Sequence, residues 1–134
     1  MASPDAERVE RLFVYGTLLS GQTARALVET HVRRSVPATV PGRIYAFSMG
    51  YPGLVDGDGA VRGELLWLSD LPAAMPLLDA YEGEEFARVL RVAQLEDGTQ
   101  VAAWCYVLAD PTSVVDAEAI LDGDWVRYRA ESRA

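Results

Sequence analysis

An α+β fold with a mixed, partly closed sheet is the class this sequence predicts, and three observations predict it. Alternating apolar runs dominate the chain, at 11–15, 36–44, 43–48, 61–68, 86–95 and 99–108, and each reads as a strand. Only two stretches switch to helical spacing, one after the first strand and one after the fourth, too few for a regular β-α-β alternation. Finally, 134 residues, half of them apolar, suit one domain spanning 1–134, with residues 1–10 expected to be a flexible N-terminal tail.

The first strand carries the most informative turn. Leu12 and Val14 alternate with Phe13 and Tyr15, as in a strand buried on both faces, and Gly16 ends it. Thr17, Ser20 and Thr23 can each cap a helix, and Ala24, Leu27 and Val28 follow at helical spacing. Strand, glycine turn and helix start would leave backbone N–H groups without partners, a cradle for a carboxylate or an oxyanion. The loop is too short for a phosphate loop and lacks its lysine.

Composition removes several functions. A net charge of −8 opposes nucleic acid and acidic membrane surfaces, so the expected partner is a small molecule. No apolar run approaches the ~20 residues of a membrane helix, and the acidic N-terminus does not resemble a signal peptide, so a cytoplasmic protein is expected. The single cysteine, Cys105, rules out an internal disulfide and reads as a small buried residue. The single histidine, His31, lies beside Arg33 and Arg34 where the first helix should end, which suits a helix-terminal cation. A histidine-based nucleophilic site or a metal site is therefore not expected, and acid-base chemistry falls to carboxylates.

In the middle of the chain, Pro37 and Pro41 mark residues 36–44 as an edge or bulged strand, and 43–48 as a cleaner one. Pro52-Gly53 is expected to form a type II turn, and Asp56-Gly57-Asp58-Gly59 a hairpin connection before a strand at 61–68. Ser69 or Asp70 then caps a short helix in which Leu71, Met75, Leu78, Leu77 and Tyr81 form the apolar stripe and Pro76 introduces a kink or a split. Strands at 86–95 and 99–108 flank Asp97-Gly98 and form a long hairpin. A helical turn is expected at 116–121, broken by Gly123-Asp124-Trp125, with 126–128 lying back over the body. Trp104, Tyr106, Trp125 and Tyr128 read as core and lid packing.

Glu82 is the chemical candidate. Gly83 is placed to end the helix, which puts Glu82 at its negative pole with Glu84 and Glu85 close behind. Both effects should raise its pKa, the direction an acid-base group needs near neutrality. The alternative is a solvated acidic turn.

Tyr15-Gly16-Thr17-Leu18, Tyr51-Pro52-Gly53-Leu54, Gly63-Glu64-Leu65, and Leu78-Asp79-Ala80-Tyr81-Glu82-Gly83 with Phe86-Ala87-Arg88 occur in this order ahead of the hairpin. Together, over roughly residues 11 to 110, they resemble the gamma-glutamylcyclotransferase-like family, and the Gly123-Asp124-Trp125 segment looks closer to its short bacterial members than to its glutathione-specific ones. The resemblance implies a small mixed β-barrel with flanking helices and an internal cavity. It also implies that the Tyr15–Leu18 loop binds a glutamyl group and that Glu82 is the catalytic acid-base. Phe86 stands where many relatives carry tyrosine, which removes a hydroxyl near the cavity mouth.

The implied reaction closes the substrate α-amine onto its own γ-carbonyl, giving 5-oxoproline and a free amine. It needs a base, oxyanion donors and an acid, and positioning supplies much of the acceleration. Glu82 is assigned both proton roles, and the amides of Gly16, Thr17 and Leu18 hold the oxyanion and the substrate carboxylate. No metal, cofactor or histidine is required. Tyr51, Pro52 and Gly53 are expected to shape the rim. Tyr15 is either a hydrogen-bonding group for substrate or a buried ring. Arg88 either meets the substrate carboxylate or pairs with Glu84 and Glu85. The leaving amine, an amino acid, a lysine side chain or a biosynthetic intermediate, stays open, as does a monomer against a homodimer. A non-catalytic metabolite-binding domain of the same fold is the competing class. A purely structural or partner-binding domain would need a large exposed apolar face, which the alternating strands do not reveal.

Overall fold

The computed structural model describes residues 10–22 and 24–132, so the first nine residues, Thr23 and the last two residues lie outside the described residues. Glu10, assigned above to the tail, is tied in, because its carbonyl accepts the amide of Leu68 at 2.9 Å. Among the described residues, six strands and three α-helices follow one another: β1 (Arg11–Val14), α1 (Ala26–Glu29), β2 (Val32–Ala46), β3 (Pro52–Leu68), α2 (Leu71–Glu82), β4 (Phe86–Leu95), β5 (Gln100–Leu108), a 3-10 turn (Pro111–Asp116), β6 (Glu118–Ile120) and α3 (Trp125–Ser132).

The strands are hydrogen-bonded in the order β3-β1-β5-β4-β2-β6, and β2 also pairs with β3. That extra pairing closes five strands into a barrel with β6 appended outside the ring. Every pairing is antiparallel except β1 with β5. Parts of the wall are buried on both faces. Leu12, Phe13 and Val14 are all buried in β1, and the neighbours Leu65 and Leu66 are both buried in β3.

Two expected turns are not turns. Pro52 and Gly53 already belong to β3, and the reversal is made one step earlier, where the Phe47 amide bonds Tyr51 O at 3.0 Å and Gly50 takes φ +96°. Asp56 to Gly59 keep their direction inside β3. The register shifts from Pro41↔Ala60 to Arg43↔Val55, so these four residues face Gly42 alone and form a wide, exposed bulge. The glycines and aspartates allow the excursion without reversing the chain. β2 is consequently one long strand, and it is bulged rather than an edge: Pro41 sits at the register shift, where a missing N–H removes no regular ladder bond.

The helices also depart from expectation. After β1 there is one helical turn, α1, because most of residues 17–25 stays in turns. α2 runs unbroken through Pro76. Its buried stripe is Leu71, Ala74 and Leu78, with Met75 half-buried, whereas Leu77 and Tyr81 are 56% and 44% exposed. In the C-terminal region, residues 118–120 extend as β6 against β2, and the helical turn lies earlier, at 111–116. Asp124 accepts the Arg127 amide at 3.1 Å and starts α3, which places Trp125 at 1% exposure in the core and stacks it on Tyr128. The β4–β5 hairpin matches expectation from Phe86↔Leu108 to Gln94↔Gln100, with Gly98 at φ +89°.

β1 and β3 approach each other closely at Gly63. A Cβ on Gly63 would lie 2.1 Å from Val14 O and 2.7 Å from Phe13 Cζ. Gly63→Ala is predicted to cost about 3 kcal/mol. Urea unfolding should show the loss, and a wild-type midpoint would refute it.

Candidate active site

A cavity of about 260 Å³ opens between the turn after β1, the start of β3 and the end of α2. That volume suits a small metabolite rather than a polymer. Tyr15, Gly16, Thr17, Leu18, Tyr51, Pro52 and Glu82 all line it. Gly53 and Arg88 do not: a Cβ on Gly53 would strike Leu108, and Arg88 is turned to Asp79.

The turn after β1 lines the cavity with Gly16, Thr17 and Leu18. In a trans peptide the C=O and N–H point in opposite directions. Gly16 O accepts Leu19 N at 3.0 Å, and Thr17 O accepts Ala24 N at 2.8 Å. The amides of Thr17 and Leu18 therefore face away from the loop's own bonds. Among the described residues, the amides of Gly16, Thr17 and Leu18 have no acceptor. These open donors belong to a turn and not to a helix start, since α1 begins only at Ala26. Gly16 cannot be replaced without displacing the rim, because a Cβ there would lie 2.6 Å from Pro52 Cγ.

An ion-pair cluster holds this turn. Glu64, on β3, accepts the Ser20 amide at 2.7 Å, the Ser20 hydroxyl at 2.8 Å and Arg25 Nη1 at 3.1 Å. Arg25 Nη1 also reaches Leu18 O at 3.4 Å, and Arg25 is buried. Sequence reading misses Arg25, because no local pattern marks an arginine for burial.

Glu82 continues the buried stripe of α2, four residues beyond Leu78, and is itself part-buried. Its carboxyl makes no hydrogen bond or ion pair with a described residue. Burial pushes its pKa up to about 7. The direction agrees with the sequence expectation, but the cause is desolvation rather than the helix pole or Glu84 and Glu85. The Glu82 charge is felt at Tyr15, Cys105 and Tyr106, which lie towards the protein interior.

Tyr15 is a buried ring that lines the cavity while its hydroxyl is engaged elsewhere. The hydroxyl donates to Tyr106 O at 2.6 Å and accepts the Leu54 amide at 3.2 Å. Arg88 forms a two-pronged pair with Asp79, at 3.0 and 3.2 Å, rather than with Glu84 or Glu85, and lies over Trp104. Arg88, the Tyr106 hydroxyl and Asp79 form one network, in which the Tyr106 hydroxyl donates to Asp79 at 2.6 Å. The Arg88 bond is the main reason Asp79 titrates below the usual range. Tyr106, Tyr81, Glu85 and Phe86 also line the cavity. The Thr17 and Tyr81 hydroxyls meet at 2.8 Å across it. The helical and strand positions of these aromatic residues give no sequence cue, since aromatics there read equally well as core.

Neither His31 nor Cys105 lines the cavity. His31 Nδ1 lies 3.1 Å from Ser69 O, in the turn after α1, and burial pushes the Cys105 thiol up to about 12. Among the described residues there is no metal-binding cluster, and no helix is long and apolar enough to cross a membrane.

Barrel, open backbone amides and Glu82 define a class of small closed-barrel domains with a carboxylate in the wall of the cavity. The chain belongs to the gamma-glutamyl cyclotransferase, AIG2-like family, whose model matches residues 12–127. The fold is similar to that of YkqA from Bacillus subtilis, with a TM-score of 0.74 at 22% identity over 92% of this chain and 42% of that one. It is also similar to c4763, a uropathogenic E. coli-specific protein, with a TM-score of 0.70 at 20% identity over 90% of this chain and 95% of that one. An AIG2-like protein from Mus musculus has a TM-score of 0.62 at 21% identity over 79% of this chain and 82% of that one. No functionally curated protein matches the chain.

Two outcomes follow from this geometry. Arg25→Met should speed amide exchange at Leu19 and Ala24 while the barrel strands keep their protection, which hydrogen exchange would resolve. The second concerns Glu82, whose folded pKa lies above its unfolded value of 4.5. The folded state then holds a proton that the unfolded state has lost, so this group lowers stability as pH rises from about 4.5 through 7. Glu82→Gln should flatten that fall and be more stable than wild type above pH ~7 in unfolding titrations.

Proposed function

We propose that this protein is a cyclotransferase that converts a γ-glutamyl amine or γ-glutamyl amino acid into 5-oxoproline and a free amine. The observation that carries the reading is that Glu82, which has no partner among the described residues, shares one small cavity with Gly16, Thr17 and Leu18, whose amides likewise have no acceptor among them. Family membership supports the same chemistry.

In this reading the substrate α-amine attacks its own γ-carbonyl carbon. The new C–N bond closes a five-membered ring, and the carbonyl oxygen becomes an oxyanion. The amides at residues 16–18 stabilise that oxyanion or hold the α-carboxylate, and they need no reorganisation because the loop's own bonds already aim them. Glu82 takes the proton released by the attacking nitrogen and returns it to the leaving nitrogen as the γ-amide bond breaks. A pKa near 7 suits a group that must act first as base and then as acid. Tyr106, anchored by Asp79 and Arg88, borders the same space and keeps its proton because burial holds its pKa far above the ordinary value.

The test is release of 5-oxoproline from γ-glutamyl compounds, followed by mass spectrometry. kcat/KM should rise with pH through about 7 as Glu82 ionises. Glu82→Gln should lower kcat by ~10³-fold or more while ligand-induced thermal stabilisation persists. Stabilisation of the wild type without any release would identify a binding domain instead.

A further inference from the structure

The cavity has a chemical bias at its mouth. Among the described residues lining it, the charged side chains are Glu82 and Glu85, both acidic. Arg88, three residues beyond Glu85 on β4, is committed to Asp79. A carboxylate entering this space finds amides and hydroxyls but no cation at the rim.

Glu85 is held in place at both ends. Its backbone carbonyl accepts the Ala109 amide at 2.8 Å, which pins it to the end of β5. Its Oε2 accepts the Tyr51 hydroxyl at 2.6 Å. The Tyr51 ring stacks on Phe47 at 5.3 Å and meets the edge of Phe86 at 6.1 Å, so the donor itself has little freedom. The second oxygen, Oε1, has no partner among the described residues. A preorganised carboxylate with one open oxygen is suited to receive a cation.

We propose that Glu85, positioned by Tyr51, is the specificity-determining residue of this cavity and favours γ-glutamyl amines whose leaving part carries a positive charge and no carboxylate. The inference rests on the cyclotransferase reading, which puts the glutamyl group on the amides of residues 16–18 and directs the leaving part to the mouth. An ammonium carried there meets Glu85. An α-carboxylate next to the scissile nitrogen meets two acids and no counter-charge, so it is disfavoured. The net charge of −8 acts in the same direction at long range.

Three compounds test this: the γ-glutamyl amides of diaminopentane, pentylamine and norleucine, which present a cation, no charge and a carboxylate. For the wild type, kcat/KM for 5-oxoproline release should fall in that order by roughly three- to fivefold per step, and the steps should shrink in about 0.5 M salt. Glu85→Gln should bring the cationic-to-neutral ratio close to one, and Glu85→Lys should invert it. Because each ratio is measured within one protein, a partial folding defect cancels. Calorimetric binding of the same compounds to the Glu82→Gln protein separates recognition from chemistry. If that protein ranks them by charge while the wild type releases nothing, the specificity assignment holds and the cyclisation reading fails. If the wild type turns them over without a charge order, or Glu85→Gln leaves the ratio unchanged, the specificity assignment is overturned.

Discussion

The Arg25–Glu64 cluster is the interaction on which the site depends. An irregular stretch of chain, with only one helical turn, follows β1, and a stretch of that kind has many conformations close in energy. Glu64 selects one by accepting the Ser20 amide, the Ser20 hydroxyl and Arg25 together, from a strand that the barrel has already fixed. Arg25 extends the hold to Leu18 O. A partly buried ion pair of this kind adds little net stability, but loss of one partner strands the other, so it specifies geometry more than it strengthens the fold. That geometry is the outward direction of the amides at Thr17 and Leu18.

The second constraint is the register of α2. Leu71, Ala74 and Leu78 set the face of the helix that is buried, and an α-helix returns to that face four residues later, at Glu82. Burial of the apolar stripe drags the carboxylate part-way out of water, and desolvation raises its pKa. Gly83, at φ +72°, then ends the helix before the chain turns into β4 and carries Glu85 to the rim. Packing of ordinary apolar residues thereby places both acids. The two differ in environment, one part-buried and without a partner among the described residues, the other exposed and bound to Tyr51.

Strand content, the β4–β5 hairpin, the turn at Gly16 and the carboxylate at position 82 are legible in the sequence because each rests on contacts within a few residues. Alternation, an Asp-Gly turn and a helix followed by glycine need no knowledge of the rest of the chain. The Asp56–Gly59 segment misleads for the same reason: local composition signals a tight turn, and only pairing with β2 makes it a bulge. Near the C-terminus, too, local spacing suggests a helical turn over 116–121, yet residues 118–120 are extended because β2 offers them a free edge.

By itself the sequence determined the class of fold, the acidic balance and the residue types available for chemistry, since composition and short-range periodicity record those directly. Tertiary structure alone decided which groups share the cavity. Arg25 reaches Glu64 across 39 positions, and Tyr51 reaches Glu85 across 34. It also set the cause of the Glu82 shift and turned Arg88 away to Asp79. Such choices follow from closure of the barrel, which brings distant segments together at distances no local pattern encodes.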